Sequence, residues 1–532
     1  MSEKRVFVRE ATGLIRELTS WDLFNITYGQ IMPAVGIVYI MSWNAFAFPN
    51  DNLFVSFLFG IPVVAVVGVL YSLLSIAMPR SGGDYIWNSR ILHPAVGFTT
   101  SWMITFVIVT WIGSAGALFS SFFFNVFLAT LGTMFNNPGL VAASTMFTTP
   151  AIELAVTTII IVVITAMMVL GRAVWQFMRI LFVIVMIGSF VNIAFLATVS
   201  NSAFVQAFNA QYASQGWTYD KVIQTAVTNG YSMGWSVGAS LPALAYVMLS
   251  YTGFNWSAYA AGEARRVSRS IPMSILGGLL IGGAMFTAWA WTIYNAFGYD
   301  FYSAANYLYN GYPSAGLPST LIPTVNQLFT LVPQNAIVEL LSALAFGLCW
   351  LWLIPTYFIP ITRNVFAWSF DRIMPSSLAS VSDRFHTPVT SILICAILGE
   401  VGAITYIYTS LFAFFANVIT MLNIAFLVTG IAGIVFPYRM KSTFEGAPPI
   451  VKKRIAGVPL VSIFGVLTVI VEAAIIYSAV ANPNVGGAVS PGSFGMAAGV
   501  TIAAPIVYYI SKVWNKKQGI DLALVYKQLP PE

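Results

Sequence analysis

Long stretches without a single charged residue, separated by short polar and basic turns, set the pattern of this chain. No Asp, Glu, Lys or Arg occurs from Leu23 to Asn50, Asn52 to Pro79, Ile180 to Tyr219 or Val222 to Gly262. A helix needs about 20 apolar residues to cross a bilayer. The runs are continuous and do not alternate over about 10 residues, so they read as helices and not as barrel strands. The pattern predicts twelve spans, near 21–47, 52–78, 95–130, 150–170, 176–200, 231–262, 273–299, 334–368, 388–406, 410–436, 458–481 and 493–513.

Composition agrees. Of 532 residues, 58% are hydrophobic and 8% charged, against roughly a quarter charged in a soluble domain. With the amino terminus inside, all 24 Lys and Arg except Lys221 fall in inner segments. That asymmetry predicts a multi-pass protein of the cell membrane with both termini cytoplasmic. It also accounts for the net charge of +6, because inner loops face anionic lipid, and no nucleic-acid partner is needed. The first twenty residues lack the short apolar core and small-residue cleavage site of a signal peptide, so the first apolar segment is expected to stay as a span. Cys349 and Cys395 lie in predicted helices and suggest no disulfide framework.

The polar inventory narrows the function. His93 and His386 lie in inner loops, and no Cys, His or acid cluster has metal-ligand spacing. Neither an intramembrane enzyme, a metal site nor a cofactor is expected. Charged rings or a repeated carbonyl filter would mark an ion channel, and the chain has neither. Two spans are instead interrupted in mid-membrane. The first, LFNITYGQIMPAVGIVYIMSW, breaks at Met32-Pro33-Ala34-Val35-Gly36. The sixth, SLPALAYVMLSYTGFNWSAYAAG, breaks at Tyr251-Thr252-Gly253-Phe254-Asn255. Either alone reads equally as a kink. Spans one and six each open a block of five, however, and paired interruptions at equivalent places point to an inverted-repeat secondary transporter.

Three stretches carry a family resemblance. YTGFNWSAYAAGEARRVSRSIPMSI resembles the sixth-span signature of the amino acid, polyamine and organocation (APC) transporter family. PRSGGDY is similar to that family's first inner loop, and ITRNVFAWSFDRIMPSSLASVSDRFHTPVTS to its span-eight exit. Where many members have a Gly-x-Gly pair in span one, this chain has Pro33-Ala34-Val35-Gly36. The resemblance implies an all-α polytopic membrane protein of the leucine-transporter type. Two inverted five-helix repeats, 21–200 and 231–436, would be followed by two accessory helices at 458–513, with a cytoplasmic segment 1–20 and tail 514–532. The implied cargo is an amino acid or a related amine.

Binding is expected at the breaks. The N–H groups of Ala34, Val35 and Gly36 open the second half of span one, where the half-helix dipole favours a carboxylate. By match to the family motif, carbonyls of Leu249, Ser250 and Thr252 receive the ammonium. Gly36 and Gly253 allow close approach. Trp111 and Ser114 of span three, with Phe414 and Asn417 of span ten, are candidates for the side-chain subsite. Gly82, Gly83 and Asp84 form an expected inner gate, with Asp84 pairing with a cation of another inner loop. The Gly82-Gly83 pair lacks the lysine pattern of a phosphate loop.

Glu153, Glu339, Glu400 and Glu472 lie inside predicted spans. Glu153 and Glu339 sit near outer ends and Glu472 on an accessory helix, which reads as interfacial or solvated. Glu400 reads as the deep one and the candidate for proton coupling. Some proton-coupled relatives carry a span-five lysine, but here that span has no charge beyond Arg179, so a proton, sodium or simple exchange all remain open. The sequence thus supports an amino acid permease working by alternating access, with a polyamine or organic amine transporter, or a non-transporting receptor or channel, as alternatives.

Overall fold

The computed structural model describes residues 16–318, 321–332, 335–409, 418–482, 491–527 and 529. Among these, eleven helices are long and apolar enough to cross a membrane, and a bent pair at the start brings the number to twelve. The chain is an all-α polytopic membrane protein. Its spans are Ser20–Ile31 with Pro33–Ala47, Leu53–Ala77, Pro94–Phe119, Pro150–Leu170, Arg172–Thr198 and Val237–Tyr251. Val267–Phe297, Ala336–Phe370, Val389–Tyr408, Val418–Arg439, Leu460–Ala481 and Pro491–Lys517 follow. Span three continues through a π-helical stretch, Ser120–Asn125, into Val126–Met134.

Local chemistry sets the ends. Thr19 and Asp22 make a reciprocal capping box at the start of span one. His93 accepts from the Ala95 amide at 3.2 Å and so caps span three, which gives this histidine a structural task. Short helices that hydropathy did not predict, Asn201–Tyr212, Tyr219–Thr228 and Tyr299–Gly311, fill the connections after spans five and seven. Their aromatic faces interlock, with Tyr219 stacked on Phe301 at 4.4 Å.

Span three is central, with 78% of its apolar window buried, whereas span twelve is peripheral at 17%. Exposed apolar side chains such as Ile159, Val162, Ile187, Phe190 and Ile470 form the faces that hydrocarbon would cover. Span one packs against span seven, span two against span seven, and span eight against spans three and five. Span eleven lies along spans ten and two, and span twelve along span three. The interrupted spans therefore sit inside the bundle and the accessory pair outside it.

Candidate functional site

Span one stops at Ile31, and Met32 adopts a left-handed conformation (φ 36°, ψ 79°) before Pro33 starts the second half. A non-glycine residue there is strained, and proline supplies no amide. Val35 and Gly36 turn their amides back onto the Met32 carbonyl at 3.1 and 3.2 Å. Of the three expected donors, the Ala34 amide is the one without a partner among the described residues.

Span six unwinds differently. Its helix ends at Tyr251, Thr252 is extended, Gly253 has φ +87°, and the chain resumes as a tight 3-10 segment, Trp256–Glu263. The Leu249 carbonyl accepts from the Thr252 amide at 3.2 Å. The carbonyls of Ser250 and Thr252 accept no hydrogen bond among the described residues, and the buried Ser250 hydroxyl is also unpartnered.

The two breaks meet. A β-carbon on Gly253 would overlap Gln30 of span one, and one on Gly36 would overlap Phe286 and lie 3.3 Å from Ser250 Oγ. Gln30 accepts from Thr356 of span eight at 3.1 Å, and Thr27 lies 3.3 Å from the Phe254 carbonyl. An aromatic row continues outward from Trp256 to Tyr357 at 5.5 Å and on to Trp111 at 5.8 Å. Trp111 is thus joined to the break region. Ser114 instead spends its hydroxyl on the Trp111 carbonyl, at 3.2 Å. Phe414 and Asn417 lie outside the described residues.

The loop expected to form an inner gate attaches to span six. The Gly82 amide donates to the Tyr259 carbonyl at 3.0 Å, and Gly82 and Gly83 have φ +106° and +50°. Asp84 is fully buried, and its partner is the Tyr71 hydroxyl at 3.0 Å, not the expected cation. Span two places Tyr71 there, and no cation of the described residues reaches the carboxylate. Burial raises the Asp84 pKa from 3.8 to about 6, against the opposing influence of the Tyr259 and Tyr71 hydroxyls. Asp84 Oδ1 and the Tyr259 hydroxyl reach no hydrogen-bond geometry, so Tyr259 acts on the carboxylate only electrostatically.

The ion pairs at this basic end are others, and hydropathy singled out none of them. Asp22 pairs with Arg179 of span five at 2.5 Å, and Glu263 takes a two-pronged contact from Arg363 of span eight at 2.8 and 2.7 Å. A backbone bridge joins Leu18 to Glu263 and Arg265 at 3.0 and 3.1 Å, tying the ends of spans one and six. A cavity of about 610 Å³ opens beside both pairs. Arg90 is buried against Asp371 at 2.7 Å, and Tyr526 of the tail lies 4.8 Å from the Arg90 guanidinium. The lone charges Asp22 and Arg179, each at the end of an apolar run, were the visible signal for the first pair.

The intramembrane acids also sort differently from their depth along the helix. Glu400 is half-buried and accepts from Thr158 of span four at 2.5 Å. Glu472, expected to be interfacial, is completely buried. Span eleven turns it toward spans two and ten, a direction that depth alone does not reveal.

The amino acid permease family model matches residues 18–505. The chain is similar to the branched-chain amino acid permease BcaP of Lactococcus lactis subsp. cremoris (strain MG1363), at 23% identity over 280 residues. That match covers 51% of this chain and 54% of BcaP, about half the length of the relative. With both breaks and the bundle in place, the chain belongs to the amino acid permease family, whose members are transporters of small-molecule substrates.

Proposed function

We propose that the protein is a secondary active amino acid transporter that works by alternating access, holding its substrate between the breaks of spans one and six. The carrying observation is the contact between those breaks. Gly253 packs on Gln30 and Gly36 lies beside Ser250, so the free amide of Ala34 and the free carbonyls of Ser250 and Thr252 belong to one crossing. A carboxylate is favoured at the start of a half-helix, and an ammonium is a matching donor for unpaired carbonyls. The aromatic row Trp256, Tyr357 and Trp111 supports an apolar side chain as the third element, in keeping with the similarity to BcaP, a branched-chain amino acid permease.

The bridged ends of spans one and six, with the Arg179–Asp22 and Arg363–Glu263 pairs, act as the inner closure, and Gly82, Gly83 and Asp84 move with it. The charge distribution supports cytoplasmic termini in the cell membrane. A cysteine replacing Lys221 should then react with an impermeant thiol reagent in intact cells, and one replacing Arg266 should not.

Uptake of labelled amino acids and amines into proteoliposomes tests the reading. Saturable exchange of an apolar amino acid is expected, and neither its methyl ester nor its N-acetyl derivative should compete. Losing one charge-assisted hydrogen bond, about 1.5 to 3 kcal/mol, weakens affinity about ten- to a hundred-fold. An ester that competes as well as its parent removes the carboxylate site and leaves an amine carrier.

A further inference from the structure

Span eleven carries one acid at mid-depth, Glu472, about 18 Å along the helix from its first residue at 1.5 Å per residue. Its exposure is 0%. Among the described residues neither carboxyl oxygen has a hydrogen-bond partner, and Thr468 Oγ1, one turn earlier, is likewise buried and unpartnered. A carboxylate in hydrocarbon without a counter-ion or donors is among the costliest arrangements a protein can hold. The setting suits a carboxyl that keeps its proton while the bundle is closed.

Among the described residues the neighbouring elements supply no cation to this group. Spans two, six and ten and the segments Pro449–Lys452 and Val458–Pro459 pack against span eleven. Their titratable groups are Tyr71 on span two, Tyr246 and Tyr251 on span six, Tyr438 and Arg439 at the basic end of span ten, and Lys452. Tyr477 lies on span eleven itself and is exposed. Tyr251 donates to the Phe57 carbonyl, Arg439 to that of Leu92 and Lys452 to that of Glu445. Thr468, one turn before Glu472, packs on Gly430 of span ten, the neighbour of Thr429, and Thr429 lies 3.4 Å from the Tyr71 hydroxyl.

Tyr71 leads onward. Its hydroxyl donates to Asp84 Oδ2 at 3.0 Å and lies 3.4 Å from Thr429 Oγ1, which also accepts from Asn88 at 3.0 Å. Asp84 begins the inner-loop helix, and Gly82, two residues before it, donates its amide to the Tyr259 carbonyl, just beyond the break of span six. Hydrogen-bonded groups therefore run from Tyr71 and Thr429, beside the Thr468 turn of span eleven, to the loop beneath the substrate crossing.

We propose that Glu472 is a proton-binding site that couples transport to a proton gradient, with Tyr71 and Asp84 linking it to the inner closure. The inference rests on the transport reading above. The carboxylate takes up one proton when the outer side is open and the resulting carboxyl gives it up inward, through Tyr71 and Asp84, when the inner closure parts. One positive charge thus moves inward per cycle, and no other reactant is needed.

The full chain in proteoliposomes, with a labelled mixture of the protein amino acids as probe, provides the test. The quantity read is accumulation with an imposed acid-outside gradient divided by accumulation without it. A gradient of about one pH unit sustains up to about tenfold accumulation for one proton per substrate. The wild type should approach that ratio, Glu472→Gln should fall to about one, and Glu472→Asp, which still titrates, should lie between them. A Glu472→Gln protein with the wild-type ratio overturns the proposal, as does a wild type that exchanges label but ignores the gradient. A wild type that exchanges no label removes the transport reading and this site with it. Should the Gln variant fail to assemble, infrared spectra decide. The protonated-carboxyl band of the wild type should shift in Glu472→Asp, and a band left in place overturns the assignment.

Discussion

The two interrupted spans reach similar depths by opposite means. Span one breaks at a proline and a left-handed methionine, and two of its three freed amides fold back onto the Met32 carbonyl. Span six breaks at a glycine, passes into 3-10 turns, and leaves the Ser250 and Thr252 carbonyls unclaimed among the described residues. Break one is held rigidly by its own backbone. Break six is held by its neighbours, Gln30 on one side and the Gly82–Gly83 loop on the other. A strained, self-bonded turn is suited to a fixed binding surface, whereas a turn secured only by contacts is suited to move.

The largest effect should follow from filling break six. Gly253→Ala forces a side chain into a left-handed residue, at about 1–2 kcal/mol, and drives it into Gln30, at about 1–3 kcal/mol more. Thermal unfolding in detergent should show a clear drop in midpoint, and exchange in proteoliposomes should fall at least about tenfold. Adding Gln30→Ala should return the packing part and leave the conformational part. A double variant no better than the single would show that Gln30 does not hold break six.

The loop secured to break six provides the next test, through pH. Burial raises the Asp84 pKa from 3.8 to about 6, so the folded state binds the proton more tightly than the unfolded one. The contribution is complete below 3.8 and is lost as pH rises through about 6. It amounts to up to about 3 kcal/mol over that window. Asp51, at the other end of span two, has the same raised value of about 6, but Asn44 and Ser56 each donate to it at 2.6 Å. Stability profiles should therefore flatten in Asp84→Asn by its share alone, with the Asp51 share remaining. An unchanged profile would mean that Asp84 does not titrate in the closed loop.

Break one should respond less. Gly36→Ala has no conformational penalty and meets the edge of the Phe286 ring, so about 1–3 kcal/mol is expected, recovered in part by Phe286→Leu. Full stability of the single variant would show the ring yielding freely. Met32→Gly should act least. It removes the left-handed strain but adds freedom to the unfolded chain, for a net change within about 1 kcal/mol. A loss well beyond that would show that Met32 packing, and not its backbone, maintains the break.

Much of this arrangement was readable beforehand. Hydropathy gave the spans because hydrocarbon tolerates little else, and Pro33 and Gly253 marked the breaks because each limits or frees the backbone in a known way. Three features were not readable. Asp84 was expected to meet a cation and meets Tyr71, a partner brought from the preceding span. Glu400 was ranked by its depth and Glu472 by its place on an accessory helix, but burial depends on which side of the helix faces protein. Ser114 was offered with Trp111 as a small residue of span three for the side-chain subsite, and its hydroxyl turns back onto its own helix.

By itself, then, the sequence determined that this chain is a bundle of membrane helices with its cations gathered at one end and two spans weakened midway. Those properties follow from the cost of charge and of unpaired backbone in lipid, which act residue by residue. Only the tertiary structure decided which helix faces meet. It set Gly253 on Gln30, joined the basic end through Arg179–Asp22 and Arg363–Glu263, and buried Glu472 within the bundle. Those outcomes depend on the rotation and packing of helices about their axes, which apolar composition leaves undetermined because nearly every face of such a helix is hydrophobic.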